Sequence, residues 1–436
     1  MKGATRNLLS SLQRPHLLPT HRTPIASILH LSSCDIPPAK AKGAGKVYAH
    51  TRDSHTKMAV PNGTSHPPNL PAFLRQSKAD LHNTYTDLEW AQRERLLAGS
   101  QAPITTPPTA ETAPQPSQWA PLRNEGTAAR NRYANVEPYA QNRVKLAVPS
   151  GLNDYINASP IVLGERRYIA TQGPKDTSVA HFYRMLEQET GEARPAVVVM
   201  LTQTHEGGRE KCFQYYPLVR EESPMVLEPD AEDEVQGDWW RGSVELEGVE
   251  MDGSTRSEVR RLRLRTKARS KDGGGEEVVR EKAIHHLLFS GWPDFLVPEG
   301  EDREALVRLI ALSAQLNCQP ATTAESSTST NGGASAFISD QSTPRIIHCS
   351  AGVGRSGTFI ALDYLLHLLH TGQLDHLPES GEGSDPVAET VDAMRKQRMM
   401  MVQGEGQFMF VYEVLREEWA KRAEGLGQAV GGADGR

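Results

Sequence analysis

The sequence predicts an α/β fold, in which strands buried on both faces are combined with amphipathic helices. Ala196 to Leu201 is a continuous apolar run, as in a central strand covered on both sides. Ile346 and Ile347 lead into a glycine-rich stretch, as at the end of a second buried strand. Apolar residues then recur at helical spacing from Phe359 to Leu369. Strand, tight loop and helix follow one another here, which is typical of α/β domains.

Other segments carry the apolar periodicity of helices or the apolar run of a strand. The predicted helices are Asp80–Leu97, Thr177–Thr190, Asp302–Leu316, Val387–Met399 and Phe408–Trp419. Thr177 is the expected N-cap of its helix, because a threonine hydroxyl can accept from the first backbone N–H groups. Ile284 to Phe289 is a further predicted strand.

The stretch from Ile346 to Thr358 carries the residues that point to chemistry. Its glycines and small residues allow a tight loop directly before a helix. Backbone N–H groups of such a loop point inward and bind anions, and the helix dipole adds positive potential. Arg355 adds a planar, two-pronged donor for a phosphate, and the same field lowers the pKa of Cys349. A thiolate that faces a bound phosphoryl group is a nucleophile aimed at phosphorus.

Three other interpretations of this loop are open from its residues alone. A glycine-rich nucleotide loop needs a lysine before its Ser or Thr, and none stands before Thr358. A buried structural cysteine is the default for a lone Cys, but it does not explain the glycines and Arg355. A phosphate-binding loop that no longer catalyses is the serious rival, and the rest of the chain has to decide it.

The pattern His-Cys-x5-Arg-Ser at His348–Ser356 resembles the signature loop of the classical, non-receptor-type protein tyrosine phosphatases, which are cysteine-based. The resemblance implies one domain with a twisted, mostly parallel mixed central sheet flanked by helices. It also implies hydrolysis of phosphotyrosine in proteins through a cysteinyl-phosphate intermediate. Ser356 would bond the departing thiolate, and His348 would fix the cysteine. The phosphate-binding loop residues would be Ser350, Ala351, Gly352, Val353 and Gly354.

Trp292-Pro293-Asp294 resembles the mobile acid loop of the same family. Expelling a phenolate is slow unless a proton reaches the departing oxygen, and an acid contributes roughly 100- to 10,000-fold. Asp294 would supply that proton, with Trp292 as a packing anchor. Pro-Asp is also ordinary turn chemistry. Leu296 stands where the family typically has glycine, and we expect its side chain to bury apolar area when the loop closes.

Three further motifs support the resemblance. Asn131-Arg132-Tyr133 matches the substrate-recognition loop, in which Tyr133 would form one wall of a slot deep enough to select phosphotyrosine. Asn135 would hold the peptide backbone, where the family often has aspartate. Glu206 and Lys211 would support the catalytic arginine and the acid loop, although a solvated surface ion pair is the alternative. Gln403 would position the hydrolytic water, with Gln407 beside the substrate, although two glutamines can also just brace a loop.

Composition limits the partners. The net charge of -6 argues against nucleic-acid binding, and no apolar run approaches transmembrane length. The 4 cysteines form no zinc motif and suggest no disulfide framework, so a reducing compartment is expected. The implied chemistry requires no metal and no cofactor. The expected partners are tyrosine-phosphorylated proteins, and the expected state is a monomer.

The predicted domain organisation is a disordered region at 1–78, a catalytic domain at 79–423 and a flexible tail at 424–436. Surface loops are predicted at 221–238, 265–282, 320–342 and 377–385, because no periodicity is visible there. The expected location is cytoplasmic. The basic, acid-free stretch from Met1 to Cys34 leaves a mitochondrial transit peptide open as the alternative.

Protein-tyrosine-phosphatase activity is therefore the predicted function. The alternatives are a catalytically weak phosphotyrosine-binding protein and a dual-specificity phosphatase. The presence of a nucleophile, a clamp, an acid and a water-positioning residue favours turnover. Tyr133 favours a deep slot over a shallow one.

Overall fold

Most strands of the described chain join one mixed sheet. The computed structural model describes residues 70–100, 117–229, 239–269, 277–320, 336–337, 339–377 and 384–431, without the side chains of 269, 277 and 425–431. These residues fall in the unit Thr64–Arg436, and the other unit, Met1–Gly63, lies outside them. The sheet strands are β1 (Ala158–Leu163), β2 (Arg166–Thr171), β3 (Ala196–Met200), β6 (Met225–Leu227), β7 (Arg241–Asp252), β8 (Ser257–Arg269), β9 (Glu277–Phe289) and β10 (Arg345–His348). A separate hairpin consists of β4 (His205–Glu206) and β5 (Arg209–Glu210).

The strand order in the sheet is β1-β2-β10-β3-β9-β8-β7-β6. The neighbours β2, β10, β3 and β9 are parallel to one another, and the remaining ladders are antiparallel. The mixed α/β class is confirmed, but the expectation of a mostly parallel sheet is wrong, because three of the described ladders are parallel and four are antiparallel. The parallel ladders are confined to the centre of the sheet, where strands need cover on both faces.

Helices cover both faces of the sheet. They are α1 (Lys78–Ser100), α2 (Glu125–Arg130), α3 (Val179–Glu189), α4 (Glu301–Asn317), α5 (Gly354–His370), α6 (Pro386–Arg395) and α7 (Glu405–Gly431). Alternate residues of β3 enter two different hydrophobic clusters. Val197 and Val199 pack in the cluster with α4, α5, α6 and α7, whereas Val198 and Met200 pack in the cluster with α3. The predicted buried strand is therefore correct, and so are the five predicted helices, to within a few residues at most ends.

Several boundaries differ from the sequence-based expectation. Leu70, Phe73 and Leu74 are buried in the core, so the predicted disorder up to residue 78 is wrong for the part described, and residues 1–69 lie outside it. The helix expected to start at Thr177 starts at Val179, after a 3-10 turn over Asp176–Ser178, and Thr177 does not cap it. The backbone of α7 continues to Gly431, beyond the predicted helix end at Trp419 and into the predicted flexible tail at 424–436.

The predicted surface loop at 265–282 is largely a strand hairpin. Its described residues extend β8 and β9, which pair in register from Ser257↔Phe289 to Arg269↔Glu277. Arg265 donates to Glu281 at 2.9 Å and to Glu245 at 3.0 Å across neighbouring strands. Within 265–282 the buried positions carry polar side chains such as Thr266 and Lys282, so the apolar alternation that predicts a strand is missing there.

The other predicted loops are partly ordered. In 221–238, Met225–Leu227 pairs with β7 as an edge strand. In 320–342, the described residues Phe337 and Gln341 are buried. In 377–385, Asp385 caps α6 by accepting from Val387 N and Ala388 N. The remainder of each segment lies outside the described residues.

Candidate active site

Three adjacent parallel strands end at the same edge of the sheet and place the candidate site there. His348 at the end of β10 pairs with Met200 of β3, which pairs with Leu288 of β9. The loop after β10 carries Cys349, the segment after β3 leads to Glu206, and the loop after β9 carries Asp294. Ligand sites form outside the carboxyl ends of parallel strands in this way.

The loop from Cys349 to Val353 turns into the N-terminus of α5, and its glycines are required by space. Gly352 has φ of 71°, and a Cβ there would lie 2.1 Å from the backbone oxygen of Thr171. A Cβ on Gly357 would lie 2.4 Å from the backbone nitrogen of Val402. The loop is thus packed between β2 and the segment before α7, and no side chain fits at either position.

Arg398 holds the carbonyl groups of this loop. Its Nε donates to Gly352 O at 2.9 Å and its Nη2 donates to Ala351 O at 3.1 Å. The same guanidinium also donates to Asn157 Oδ1 at 2.7 Å, and Arg398 is fully buried. Arg398 thus binds two carbonyl oxygens of the loop, and the N–H groups of the loop can face the cysteine. Gly352 N, for example, donates to Cys349 Sγ at 3.3 Å.

Cys349 has the electrostatics of a thiolate. Burial alone would raise its pKa, but the charge of Arg355 and hydrogen bonds from Ser356 and Gly352 outweigh burial and lower the pKa below that of an ordinary thiol. The hydroxyl of Ser356 is buried and is not engaged by any other described residue, which leaves it to the Cys349 sulfur. Its proton can therefore turn toward the Cys349 sulfur, as the resemblance implies.

The guanidinium of Arg355 is held in place by Glu206. Nη1 and Nη2 donate to the two carboxylate oxygens of Glu206 at 2.7 and 2.8 Å, and Nη1 also donates to Leu201 O at 2.9 Å. The two-residue turn Gly207-Gly208, with φ of 56° and 74°, closes the β4–β5 hairpin that presents Glu206. The ion pair is partly buried, so the alternative of a solvated surface pair does not describe it.

The acid loop contacts the same arginine. Asp294 accepts from Arg355 Nη2 at 2.8 Å and from Lys211 Nζ at 2.5 Å. Arg355 Nη1 also donates to the backbone oxygen of Trp292 at 3.2 Å. Trp292 is buried, and its indole N–H donates to Leu296 O at 2.9 Å, which closes the loop on itself.

The expectation for the Leu296 side chain is wrong. Although Asp294 lies on Arg355, Leu296 remains 62% exposed, so its side chain buries little apolar area. The unusual backbone conformation belongs to its neighbour Phe295, with φ of 61° and 80% exposure. Lys211 Nζ lies 5.7 Å from the centroid of that ring. Leu296 stabilises the loop through its backbone oxygen, which accepts from Trp292, rather than through its side chain.

Tyr133 lies beside the signature loop. Its hydroxyl is 2.7 Å from Ser350 Oγ, and Ser350 in turn donates to Lys211 O at 2.9 Å. The tyrosine is half-buried, as one wall of a slot would be. Asn135, two residues further along, is exposed, and no hydrogen bond joins its side chain to another described residue.

Gln403 and Gln407 both lie over the start of α5. A Cβ placed on Gly354 would be 3.4 Å from Gln403 Oε1 and 3.1 Å from Gln407 Oε1. The preceding backbone has the left-handed conformation at two residues other than glycine, Met400 (φ 61°) and Val402 (φ 57°). A β-branched residue in this region is strained, and such strain persists where the surroundings impose it.

His348 is part of a buried chain of hydrogen bonds. Its Nδ1 is 3.2 Å from Cys349 O, and its Nε2 is 2.6 Å from the Tyr215 hydroxyl, which also lies 2.8 Å from His286 Nε2. Burial lowers the pKa of His348 to about 4, so the ring is neutral at pH 7 and orients the cysteine by hydrogen bonding.

Sequence reasoning missed several residues that hold the site together. Arg398, Arg395 and Tyr215 were not assigned a role, and neither was Tyr85 of α1. Of these four residues, only the two arginines could have been noticed in the sequence, because they lie at the end of a predicted helix just before Gln403. Among the residues that the structure describes, no group of three His, Cys, Asp or Glu side chains could hold a metal ion. In the same part of the chain, no helix has the length and apolarity needed to cross a membrane.

Comparison with known proteins agrees with this geometry. The family model described as Protein-tyrosine phosphatase matches residues 127–417. Tyrosine-protein phosphatase 1 of Saccharomyces cerevisiae is 31% identical over 372 residues, which cover 79% of this chain and 96% of that protein. Tyrosine-protein phosphatase 2 of Schizosaccharomyces pombe is 33% identical over 302 residues, which cover 69% of this chain but 35% of that protein.

One solved structure, described as "Structural basis of PTPN18 fingerprint on distinct HER2 tyrosine phosphorylation sites", has the same fold. Its TM-score is 0.54 at 23% identity, with 80% of this chain and 98% of that chain covered. The fold and the cysteine-arginine loop define a cysteine-based phosphatase. The chain belongs to the protein-tyrosine phosphatase family, and the activity of that family is dephosphorylation of phosphotyrosine in proteins.

Proposed function

We propose that this chain hydrolyses phosphotyrosine in proteins in two steps, with Cys349 as nucleophile and Asp294 as acid. In the first step the Cys349 thiolate forms an S–P bond, the bond from phosphorus to the tyrosine oxygen breaks, and Asp294 gives its proton to that oxygen. In the second step water attacks phosphorus, Asp294 takes a proton from the water, and the S–P bond breaks to release phosphate.

One observation carries this proposal: Arg355 contacts the acid loop and also lies close enough to Cys349 for its charge to lower the pKa of the thiol. Its guanidinium bonds Asp294 and Trp292 O, and its charge lowers the pKa of the thiol. The nucleophile, the phosphate clamp and the acid therefore converge on one place. The amides of Ser350–Gly354 and Arg355 would stabilise the charge on the transferred group.

The slot favours tyrosine as the phosphorylated residue. Tyr133 stands at the loop as a half-buried ring, and Cys349 is only 4% exposed. A phenyl phosphate can reach a sunken thiolate, whereas the shorter phosphoserine cannot. Tyrosine-phosphorylated proteins are thus the proposed substrates. Gln403 would position the water, and Gln407 would lie beside the substrate.

The test compares matched phosphotyrosine and phosphoserine peptides with a small aryl phosphate. We expect turnover of the phosphotyrosine peptide and the aryl phosphate, none of the phosphoserine peptide, and no activity for Cys349→Ser. Binding of phosphotyrosine without turnover would identify a phosphotyrosine-binding protein instead. Turnover of both peptides would identify a dual-specificity enzyme. An Asp294→Ala trap from native lysate would then identify the substrate proteins.

The proposed location is the cytoplasm. The described cysteines, Cys212, Cys318 and Cys349, are all free thiols, as a reducing compartment permits. Imaging of the tagged full chain, compared with a chain that starts at Met58, tests this location. Mitochondrial signal that depends on residues 1–57 would support the transit peptide instead.

A further inference from the structure

The helix α1 touches the segment that carries Gln403, and it does so with one face. Tyr85 donates to the backbone oxygen of Gln403 at 2.6 Å, and its ring packs on Phe408 with centroids 5.6 Å apart. One turn further along α1, Glu89 pairs with Arg395 at 2.9 Å. Gln92 then accepts from Met400 N at 3.2 Å. Residues 85, 89 and 92 share one face of a helix because they are three or four positions apart.

The segment that these residues hold is strained. Met400 and Val402 both have positive φ, and their neighbours are bound on several sides. Arg395 donates to Met401 O and Val402 O at 3.0 Å each, and Val402 N donates to Val353 O in the signature loop at 3.1 Å. Backbone strain of this kind needs outside contacts to persist. Tyr85 and Gln92 of α1 each bind this segment directly, and Glu89 of α1 pairs with Arg395, which binds it twice more.

This helix lies outside the matched family domain. The family model covers residues 127–417, whereas α1 ends at Ser100. The interaction is therefore contributed by the chain that precedes the domain. Burial raises the pKa of Tyr85 to about 12, so its hydroxyl keeps its proton and remains a donor at any pH at which the enzyme would work.

We propose that α1 positions Gln403 for hydrolysis of the cysteinyl phosphate and that Tyr85 is the positioning residue. Gln403 acts through its side chain, and Tyr85 fixes the backbone from which that side chain projects. The first step depends on Cys349, Arg355 and Asp294, none of which contacts Tyr85. Loss of the Tyr85 hydroxyl should thus slow the second step and spare the first. This inference rests on the water-positioning role proposed for Gln403.

The test is Tyr85→Phe, which removes one hydroxyl and keeps the ring on Phe408. The substrate is an aryl phosphate with a good leaving group, for which kcat/KM reports the first step and kcat reports hydrolysis of the intermediate. We expect kcat to fall by roughly tenfold, within the range that a small misplacement of a catalytic group causes. We expect kcat/KM to change less than twofold and a burst of phenol, equal to the enzyme concentration, to appear before steady state.

Tyr412→Phe is the matched control. Tyr412 is a buried tyrosine of α7 whose hydroxyl bonds Asp385 at 2.7 Å, so it loses a comparable hydrogen bond without touching the Gln403 segment. It should show neither the kcat loss nor the burst. Equal losses in kcat and kcat/KM for Tyr85→Phe, or no loss at all, would overturn the proposal.

A double variant separates this inference from the proposed function. Gln403→Ala keeps the backbone oxygen that Tyr85 bonds, and it removes the side chain that Tyr85 is proposed to position. Adding Tyr85→Phe to Gln403→Ala should therefore cause less than a twofold further change. A full tenfold further loss would show that Tyr85 acts elsewhere. If Gln403→Ala itself leaves hydrolysis unchanged, the role proposed for Gln403 fails, and the positioning role falls with it. The nucleophile assignment is tested separately by Cys349→Ser.

Discussion

The predicted acid and the predicted phosphate clamp are bonded to each other, since Arg355 Nη2 donates to Asp294 Oδ1 at 2.8 Å. Arg355 is also bonded by both oxygens of Glu206, and Asp294 also accepts from Lys211. A phosphate that binds to Arg355 must therefore share the guanidinium group with the carboxylate of Glu206. It must also approach the carboxylate of Asp294. We therefore expect the charge of Asp294 to weaken anion binding at the site, although the proposed mechanism needs the same carboxyl group as the acid.

Asp294→Asn should bind oxyanions more tightly while it turns over more slowly. The amide keeps the shape of the side chain but removes the negative charge that faces the phosphate. We expect the Kd for inorganic phosphate to fall by roughly tenfold, which is about 1.4 kcal/mol, and turnover of an unactivated aryl phosphate to fall by roughly 100-fold or more. Calorimetric titration with phosphate checks the first effect.

Glu210→Gln is the control for the general field. Glu210 is an exposed carboxylate on the neighbouring hairpin that pairs with Arg132 rather than with Arg355. The same gain in phosphate affinity in both variants would mean that net charge, and not the Asp294 contact, sets the affinity.

Cys349 should react with iodoacetate at a pH at which ordinary thiols are inert. Its pKa is lowered, so the thiolate should be present below the free-cysteine value of about 8.5. The alkylation rate should rise with pH and level off below that value, and phosphate should protect. Mass spectrometry of the Cys349 peptide is the measurement. In Arg355→Met, the charge that lowers the Cys349 pKa is lost, so the midpoint of the alkylation rate should move to higher pH. An unchanged midpoint would contradict the role of Arg355 in lowering this pKa.

The signature loop could be predicted from sequence because all of its chemistry is local. Cys349, Arg355 and the glycines stand within a few residues, and the strand before them and the helix after them have clear apolar patterns. Trp292 and Asp294 follow a strand in the same way. Parallel pairing of β10, β3 and β9 then brings the loops to one edge.

The supports of the site could not be predicted because their partners are far apart in sequence. Tyr85 and Gln403 are 318 residues apart, and no local pattern marks a hydroxyl that bonds a backbone oxygen. The strand residues within 265–282 were missed for a different reason. Their buried positions carry polar side chains such as Thr266 and Lys282, so the apolar alternation of Leu262 and Leu264 does not continue.

The acid loop should depend on the Trp292 side chain and not on the Leu296 side chain. Leu296→Ala removes a mostly exposed side chain and keeps the backbone oxygen, so kcat should change less than twofold. Trp292→Phe removes the indole N–H that binds this oxygen, and we expect Asp294 to be held less often on the site. Rates across a series of aryl phosphates are the measurement. The loss in Trp292→Phe should be large for poor leaving groups and small for good ones; a loss that is uniform across the series would argue against closure as the cause.

Acid should destabilise the fold through its buried histidines. Burial lowers the pKa of His348 to about 4 and places that of His286 well below its usual value near 6.5. The unfolded chain therefore binds protons near pH 6.5 that the folded chain binds only at much lower pH. The contribution of these histidines to the free energy of unfolding should be complete above pH 6.5. It should then fall as the pH drops toward 4, by up to about 1.4 kcal/mol per pH unit for each histidine.

His286→Gln tests this directly, because glutamine can still bond the Tyr215 hydroxyl but does not titrate. The variant should lose about 1 kcal/mol at pH 7 from a poorer hydrogen bond. Its unfolding free energy should then fall less steeply between pH 6.5 and 5, since the unfolded chain gains one proton fewer in that interval. Urea unfolding at several pH values gives both quantities. Carboxylates contribute equally to the two proteins and cancel in the comparison, so an equal or steeper slope in the variant would mean that His286 is not a source of the acid sensitivity.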